Sequence, residues 1–318
     1  MTDSYRSIDY RIRPAKHAER YMLCDFMRRM RFTHLDDYQY VGFGSIAFQD
    51  FRLIHKMLGV KAMISIEDVD PSAKDKQARF RENAPFGCVE MMFGNSATQL
   101  PLIDFAKPSL VWLDYDNPLS EGMAADLRLI GRNVAAGSFV AITFAAQMPT
   151  AREYQPAEVE RLIEQFPAYV PAGAKASSFD GVRYAKFGRT VLTDALEKAI
   201  ADADAGKDQL ERRYAKQVLF LQYRDGKVMA TVAWLVMTQT MEQAYAEGRF
   251  DALPFFSAAD APFVIKIPFI TPHEFRTLER AAPGFAPEAM PAWIPEGERN
   301  AFKASYRYLP HFGVFEGG

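Results

Sequence analysis

The stretch Tyr38-Gln-Tyr-Val-Gly-Phe-Gly-Ser-Ile-Ala-Phe-Gln-Asp50, YQYVGFGSIAFQD, reads as a short strand, a turn holding Gly42 and Gly44, and the start of a helix. A strand that turns through glycines into a helix leaves unpaired amide N–H groups at the helix start, where a ligand can meet the backbone. Outward from it, strand and helix signals alternate. A helix over 47–58 carries Phe48, Phe51, Leu53, Ile54 and Leu58 and stops at Gly59. The strand KAMISIE (61–67), a helix over 74–84, the strand CVEMMF (88–93) and a short helix over 97–105 follow. Then come the strand SLVWLDY (109–115), a helix over 121–135 ended by Gly137, and the strand SFVAITFAA (138–146). Strands apolar at nearly every position and joined by helices imply a parallel sheet covered on both faces. Right-handed crossovers make it a doubly wound α/β sheet.

Beyond this run, residues 147–188 hold Pro, Gly and aromatics around one short helix, AEVERLIEQF, and read as an insertion. A helix over 189–205 precedes QVLFLQYRDGKVMATVAWLVM, two apolar strands flanking Asp225-Gly226, a hairpin signal. The sheet is therefore expected to end on a reversed strand. Before it all, residues 14–32 form an amphipathic helix with Pro14 in its first turn. Near the C-terminus, Thr271-Pro272-His273-Glu274 is a capping box, and Tyr306, Tyr308, His311 and Phe312 are expected to pack the tail back on the body, with the lining of an acceptor pocket as the alternative. The expected organisation is an N-terminal helical segment (1–37), a Rossmann-like domain (38–240) with an insertion at about 147–188, and a C-terminal extension (241–318).

Composition narrows the function. The chain has 318 residues, 49% of them hydrophobic, which is ample for a large core. Lys+Arg is 38 against Asp+Glu 40, a net charge of -2, so no global basic field points to nucleic acid. Cys24 and Cys88 stand far apart, outside any zinc pattern, and no metal site is expected. The polar N-terminus is no signal peptide, and the longest apolar runs are about half a membrane span. A cytoplasmic protein is expected.

In a doubly wound sheet, ligands lie outside the carboxyl ends of the strands. Read in order, those ends carry Gly42-Phe43-Gly44-Ser45, then Glu67-Asp68, then Asn95-Ser96 after Gly94, then Asp114-Tyr115-Asp116. Glu67 lies near the spacing of an acid that accepts ribose hydroxyls. The Asn95 amide suits an adenine edge, although Asn95 and Ser96 can equally cap the helix that follows. Four polar clusters at successive strand ends point to an adenosine-bearing ligand.

With VGFGS, SIED, FGNSATQLP, VWLDYD and the reversed strand VMATVAWLVM, the sequence resembles class I S-adenosylmethionine-dependent methyltransferases over about 38–237. RPAKHAER and YVGFGSIAFQDF are similar to bacterial O-methyltransferases. The resemblance implies a seven-stranded Rossmann-like sheet with a reversed last strand and S-adenosyl-L-methionine as donor. It places Gly42, Phe43, Gly44 and Ser45 at the donor's methionine part, Glu67 and Asp68 at the ribose, and Asn95 and Ser96 at the adenine. Asp114 would stand near the methionine end or the acceptor. Two departures stand out: Tyr40 occupies the place of the family's acid, and Ile46 that of a third glycine.

Methyl transfer from a sulfonium needs alignment above all, and an oxygen acceptor also needs a base. Asp114 and Asp116 are the candidates, with His55 a remote third on a helix surface. Arg13 could pair with the donor carboxylate, and it and Lys16 could equally form a solvated cationic face, as could Arg28, Arg29 and Arg31. Gly42, Gly44 and Ala47 also match a nicotinamide-binding turn, so an NAD(P)-dependent oxidoreductase is one alternative and a non-catalytic nucleotide sensor another. Acceptor and oligomeric state are not readable.

Overall fold

The computed structural model describes residues 13–310. Its first helix, α1 (Pro14–Met27), leads into β1 (Gln39–Gly42), α2 (Gln49–Leu58), β2 (Ala62–Glu67) and α3 (Lys74–Asn83). Next come β3 (Val89–Phe93), α4 (Ser96–Gln99), β4 (Ser109–Pro118), α5 (Glu121–Asn133) and β5 (Ser138–Ala145). The insertion contributes α6 (Gln155–Gln165), and α7 (Val182–Ala203) returns to the hairpin β6 (Tyr214–Asp225) and β7 (Lys227–Met237). The remainder holds α8 (Glu242–Glu247), β8 (Phe263–Val264), α9 (Pro272–Glu279) and α10 (Glu296–Ser305).

The sheet order is β3-β2-β1-β4-β5-β7-β6-β8. β1 pairs in parallel with β2 and β4, and β7 runs antiparallel to both β5 and β6. The doubly wound α/β sheet and its reversed seventh strand are as the sequence led one to expect. The strand count is not: β8 joins the edge in parallel with β6, giving eight strands among the described residues rather than seven. Two residues of edge pairing leave no periodicity to read in the sequence.

Side-chain alternation sends successive residues to opposite faces. On β4, Leu110 and Trp112 join the core under α1 and α2, and Val111 and Leu113 join the core under α5 and α7. Phe51, Ile54 and Leu58 give α2 one buried stripe, each side chain contributing about 1.5–3 kcal/mol. Gly59 then ends α2 at φ 75. β5 is buried at every position because both faces are covered. A separate small core around Leu278, Phe285, Ile294 and Phe302 lies beneath α9 and α10.

Some boundaries moved. β4 continues through Pro118, so Asp114-Tyr115-Asp116 lies inside the strand rather than after it, and the register with β5 shifts between Asp114 and Pro118. α7 starts at Val182, seven residues earlier than its periodicity suggested. The Thr271–Glu274 capping box forms as expected, with Glu274 N–H donating to Thr271 Oγ1 at 3.2 Å. Tyr308 anchors the tail by donating to Asp25 at 2.8 Å; His311 and Phe312 lie outside the described residues. Among the described residues no helix is long and apolar enough to cross a membrane.

Candidate active site

The switch point of this sheet falls between β1 and β4, where crossovers leave to opposite sides. Register brings the strand ends level. Gly42 pairs with Ser65 and with Trp112, so Gly44, Glu67 and Asp114 each stand two residues further along. Glu67 pairs with Phe93, which places Asn95 just beyond it. The four polar clusters therefore share one rim.

At β1 the glycines have an internal reason. A Cβ on Gly44 would run into the Phe48 ring and come within 2.5 Å of Ser65 Oγ; one on Gly42 would lie 2.7 Å from the Tyr40 hydroxyl. Glu67 organises the turn: its Oε1 accepts from Gly44 N–H at 3.0 Å and from the Ser65 hydroxyl at 2.6 Å. Burial pushes this carboxyl up to about 7, against the hydrogen bonds from Ser65 and the loop amides. Ser45 adopts φ 54 beside it. Asp68 is exposed.

Asn95 caps α4, its Oδ1 accepting from Thr98 N–H at 3.0 Å. Ser96 donates to Asp126 at 2.5 Å, and the Tyr115 hydroxyl donates to the same carboxylate. Phe43 meets Tyr115 edge-to-face at 5.0 Å across the switch point. Burial raises Asp126 and, together with the Asp126 carboxylate, raises Tyr115. Asp126 escaped sequence reading, although an acid among Met123, Ala124 and Leu127 on the buried face of α5 was a signal.

Asp114 points to the α1 side. Lys16 Nζ lies 2.6 Å from Asp114 Oδ1 and 2.8 Å from Glu19 Oε2, beneath the Trp112 ring. Lys16 and Glu19 are 0% exposed and Arg13 is 9%, so the N-terminal turn of α1 is not a solvated cationic face. Burial works against the Lys16 ammonium, but Asp114 and Glu19 outweigh it and raise its pKa. Asp225 receives Lys16 N–H at 2.8 Å and Ala15 N–H at 3.3 Å, so the hairpin turn supplies the cap that α1 lacks locally. Asp114, Asp116 and Asp225 all bias Arg13 toward its charged form, against its burial. Neither Glu19 nor Asp225 was a sequence candidate. Lys16, Glu19, Leu23 and Phe26 fall on one buried helical stripe, and charges on such a stripe were the missed clue.

The remaining candidates lie elsewhere. His55 is half-buried and away from the rim: it sits in the last turn of α2, its Nδ1 2.8 Å from Val60 O, against Phe86. Arg29 and Arg31 donate to backbone carbonyls of Arg249, Arg28 and Met30. Past the ends of β5 and β6 a cleft of about 580 Å³ opens, lined by Gln147, Met148 and Phe179 from the insertion and by Gln222, Arg224 and Val264.

Comparison with known proteins comes at two levels. Among solved structures, Trm1 of Pyrococcus horikoshii in complex with S-adenosyl-L-methionine is 11% identical at a TM-score of 0.42, over 72% of this chain and 57% of that one. Cofactor-bound Rv0187 from MTB is 13% identical at 0.36, over 70% and 80%. The O-methyltransferase TomG from Streptomyces achromogenes, with S-adenosylmethionine, is 13% identical at 0.36, over 68% and 78%. Likenesses at this level carry nothing about ligand or reaction. Curated proteins give no match. A family model, by contrast, matches residues 8–317, almost the whole length, and the chain belongs to the family described as "Putative O-methyltransferase".

Proposed function

We propose that the protein is an S-adenosylmethionine-dependent methyltransferase acting on an oxygen acceptor. The observation that carries this is the shared rim, where Gly44, Glu67, Asn95 and Asp114 stand together around the β1/β4 switch point, in a chain of this family. The chemistry of those groups fits the donor. Glu67 would accept ribose hydroxyls, the Asn95 amide would meet the adenine, and Arg13 would take the donor carboxylate. Gly42, Phe43 and Ser45 would shape the turn beside its methionine part, Asp68 would border the ribose and Ser96 the adenine.

The donor supplies a methyl group already activated on a sulfonium. The protein's part is to align it and to receive a proton. Asp114 already has one oxygen committed to the Lys16 ammonium. Asp116, two residues on and also on the rim, is the better candidate to take the acceptor's hydroxyl proton. The cleft beyond β5 and β6 would admit a small-molecule acceptor, oriented by the Gln147 and Gln222 amides.

Thermal shift with S-adenosylhomocysteine, NAD and NADP tests the donor. A ligand at about 100 times its dissociation constant adds about 2.7 kcal/mol. S-adenosylhomocysteine alone should stabilise; stabilisation by NAD alone would refute the reading. Transfer of labelled methyl to fractionated metabolites, base-labile as an ester or stable as an ether, tests the oxygen acceptor.

A further inference from the structure

The geometry points to Lys16 as a positioning residue that holds Asp114 to receive the α-ammonium group at the amino-acid end of the donor. This rests on the donor reading above.

The acids around the rim differ in how far they are already engaged. Glu67 binds Gly44 N–H and Ser65, Asp126 binds Ser96 and Tyr115, Asp50 binds Arg20, and Asp225 caps α1. β1 contributes none, because Tyr40 lies beside Gly42. Asp114 keeps 19% of its side chain exposed while one oxygen is fixed from inside. Its anchor is rigid. Lys16 Nζ sits 4.4 Å from the Trp112 ring and 5.6 Å from that of Tyr223. Glu19, on its other side, accepts from Thr231, which bonds Thr143 at 2.7 Å, which in turn accepts from Trp112 Nε1 at 3.0 Å. The lysine is thus located by bonds reaching β4, β5 and β7, and an ammonium buried this deeply is tolerable only because it is paired.

Charge favours the same ligand end. Facing one another here are Arg13, Lys16, Glu19 and Arg20 on α1, Asp114 and Asp116 on β4, Asp50 on α2, Tyr223 on β6 and Asp225 in the hairpin turn. Carboxylates outnumber cations. Burial raises Glu19, against the pull of the Lys16 ammonium beside it. A cationic group arriving at the open side of Asp114 meets a preorganised acceptor.

The test uses the full chain and two ligands followed by calorimetry: S-adenosylhomocysteine, and 5′-methylthioadenosine, which lacks the amino-acid end. Lys16→Met and Asp114→Asn should each weaken S-adenosylhomocysteine by at least about 20-fold while leaving methylthioadenosine within about threefold. A parallel loss of both ligands in folded variants would make Lys16 merely structural and overturn the assignment. So would Asp114→Asn with unchanged S-adenosylhomocysteine affinity, and that variant carries the test if Lys16→Met does not fold. Wild-type protein that binds neither ligand strikes the donor reading itself.

Discussion

Glu67 at the end of β2 and Asp114 at the end of β4 stand on one rim, yet the chain gives them different company. Glu67 is buried among neutral donors, a hydroxyl and backbone amides, and among the described residues no cation meets it. Its carboxyl rises to about 7 because burial outweighs those bonds. Asp114 meets an ammonium delivered from α1, 98 residues earlier in the chain. A strand-end acid is therefore a location, and the partners it meets are decided by whatever the rest of the fold brings to it.

The largest expected break in that contrast is Lys16→Met. Removing the cation leaves Asp114 and Glu19 facing each other in the interior, and should cost about 3–5 kcal/mol in urea unfolding. Gly44→Ala comes next. The added methyl meets Phe48 and Ser65, so about 1–3 kcal/mol of stability should go, and with it the turn that Glu67 organises. Denaturant midpoints and S-adenosylhomocysteine titration both read this out.

Glu67 itself sharpens the comparison through pH. Its folded value is raised above the ordinary 4.5 to about 7. Its contribution to folding stability is therefore full below the ordinary value and lost as pH rises through 7. Binding runs the other way, because ribose hydroxyls donate to the ionised form. Affinity for S-adenosylhomocysteine should fall about tenfold from about pH 8 to about pH 6, and Glu67→Gln should be weak and flat across that range. The smallest effect belongs to Asp225→Ala, which uncaps α1 and should cost about 1 kcal/mol in thermal or urea unfolding.

Much of the fold was open to reading because it rests on local pattern. The apolar runs, the Gly42–Gly44 turn and Asp225-Gly226 each declare themselves within a few residues. β8 did not, since its pairing to Leu221 and Gln222 is made by the fold rather than by its own two residues. The site divides in the same way. Glu67 and Asp114 were legible as strand-end acids. Lys16, Glu19 and Asp126 were not, because their charges look like surface charges until α1 and α5 are laid on the sheet. Asn95 shows a third case, in which a residue marked for a ligand also completes a helix cap.

The cap on α1 carries a consequence for how the molecule is made. Ala15 and its partner Asp225 are 210 residues apart in the chain. A ribosome releases the first helix long before it has synthesised the turn that receives it. The first-turn amides of α1 stay uncapped until the sheet's last hairpin emerges, so a chain truncated ahead of that hairpin would retain the Lys16–Asp114 pair but lose the cap.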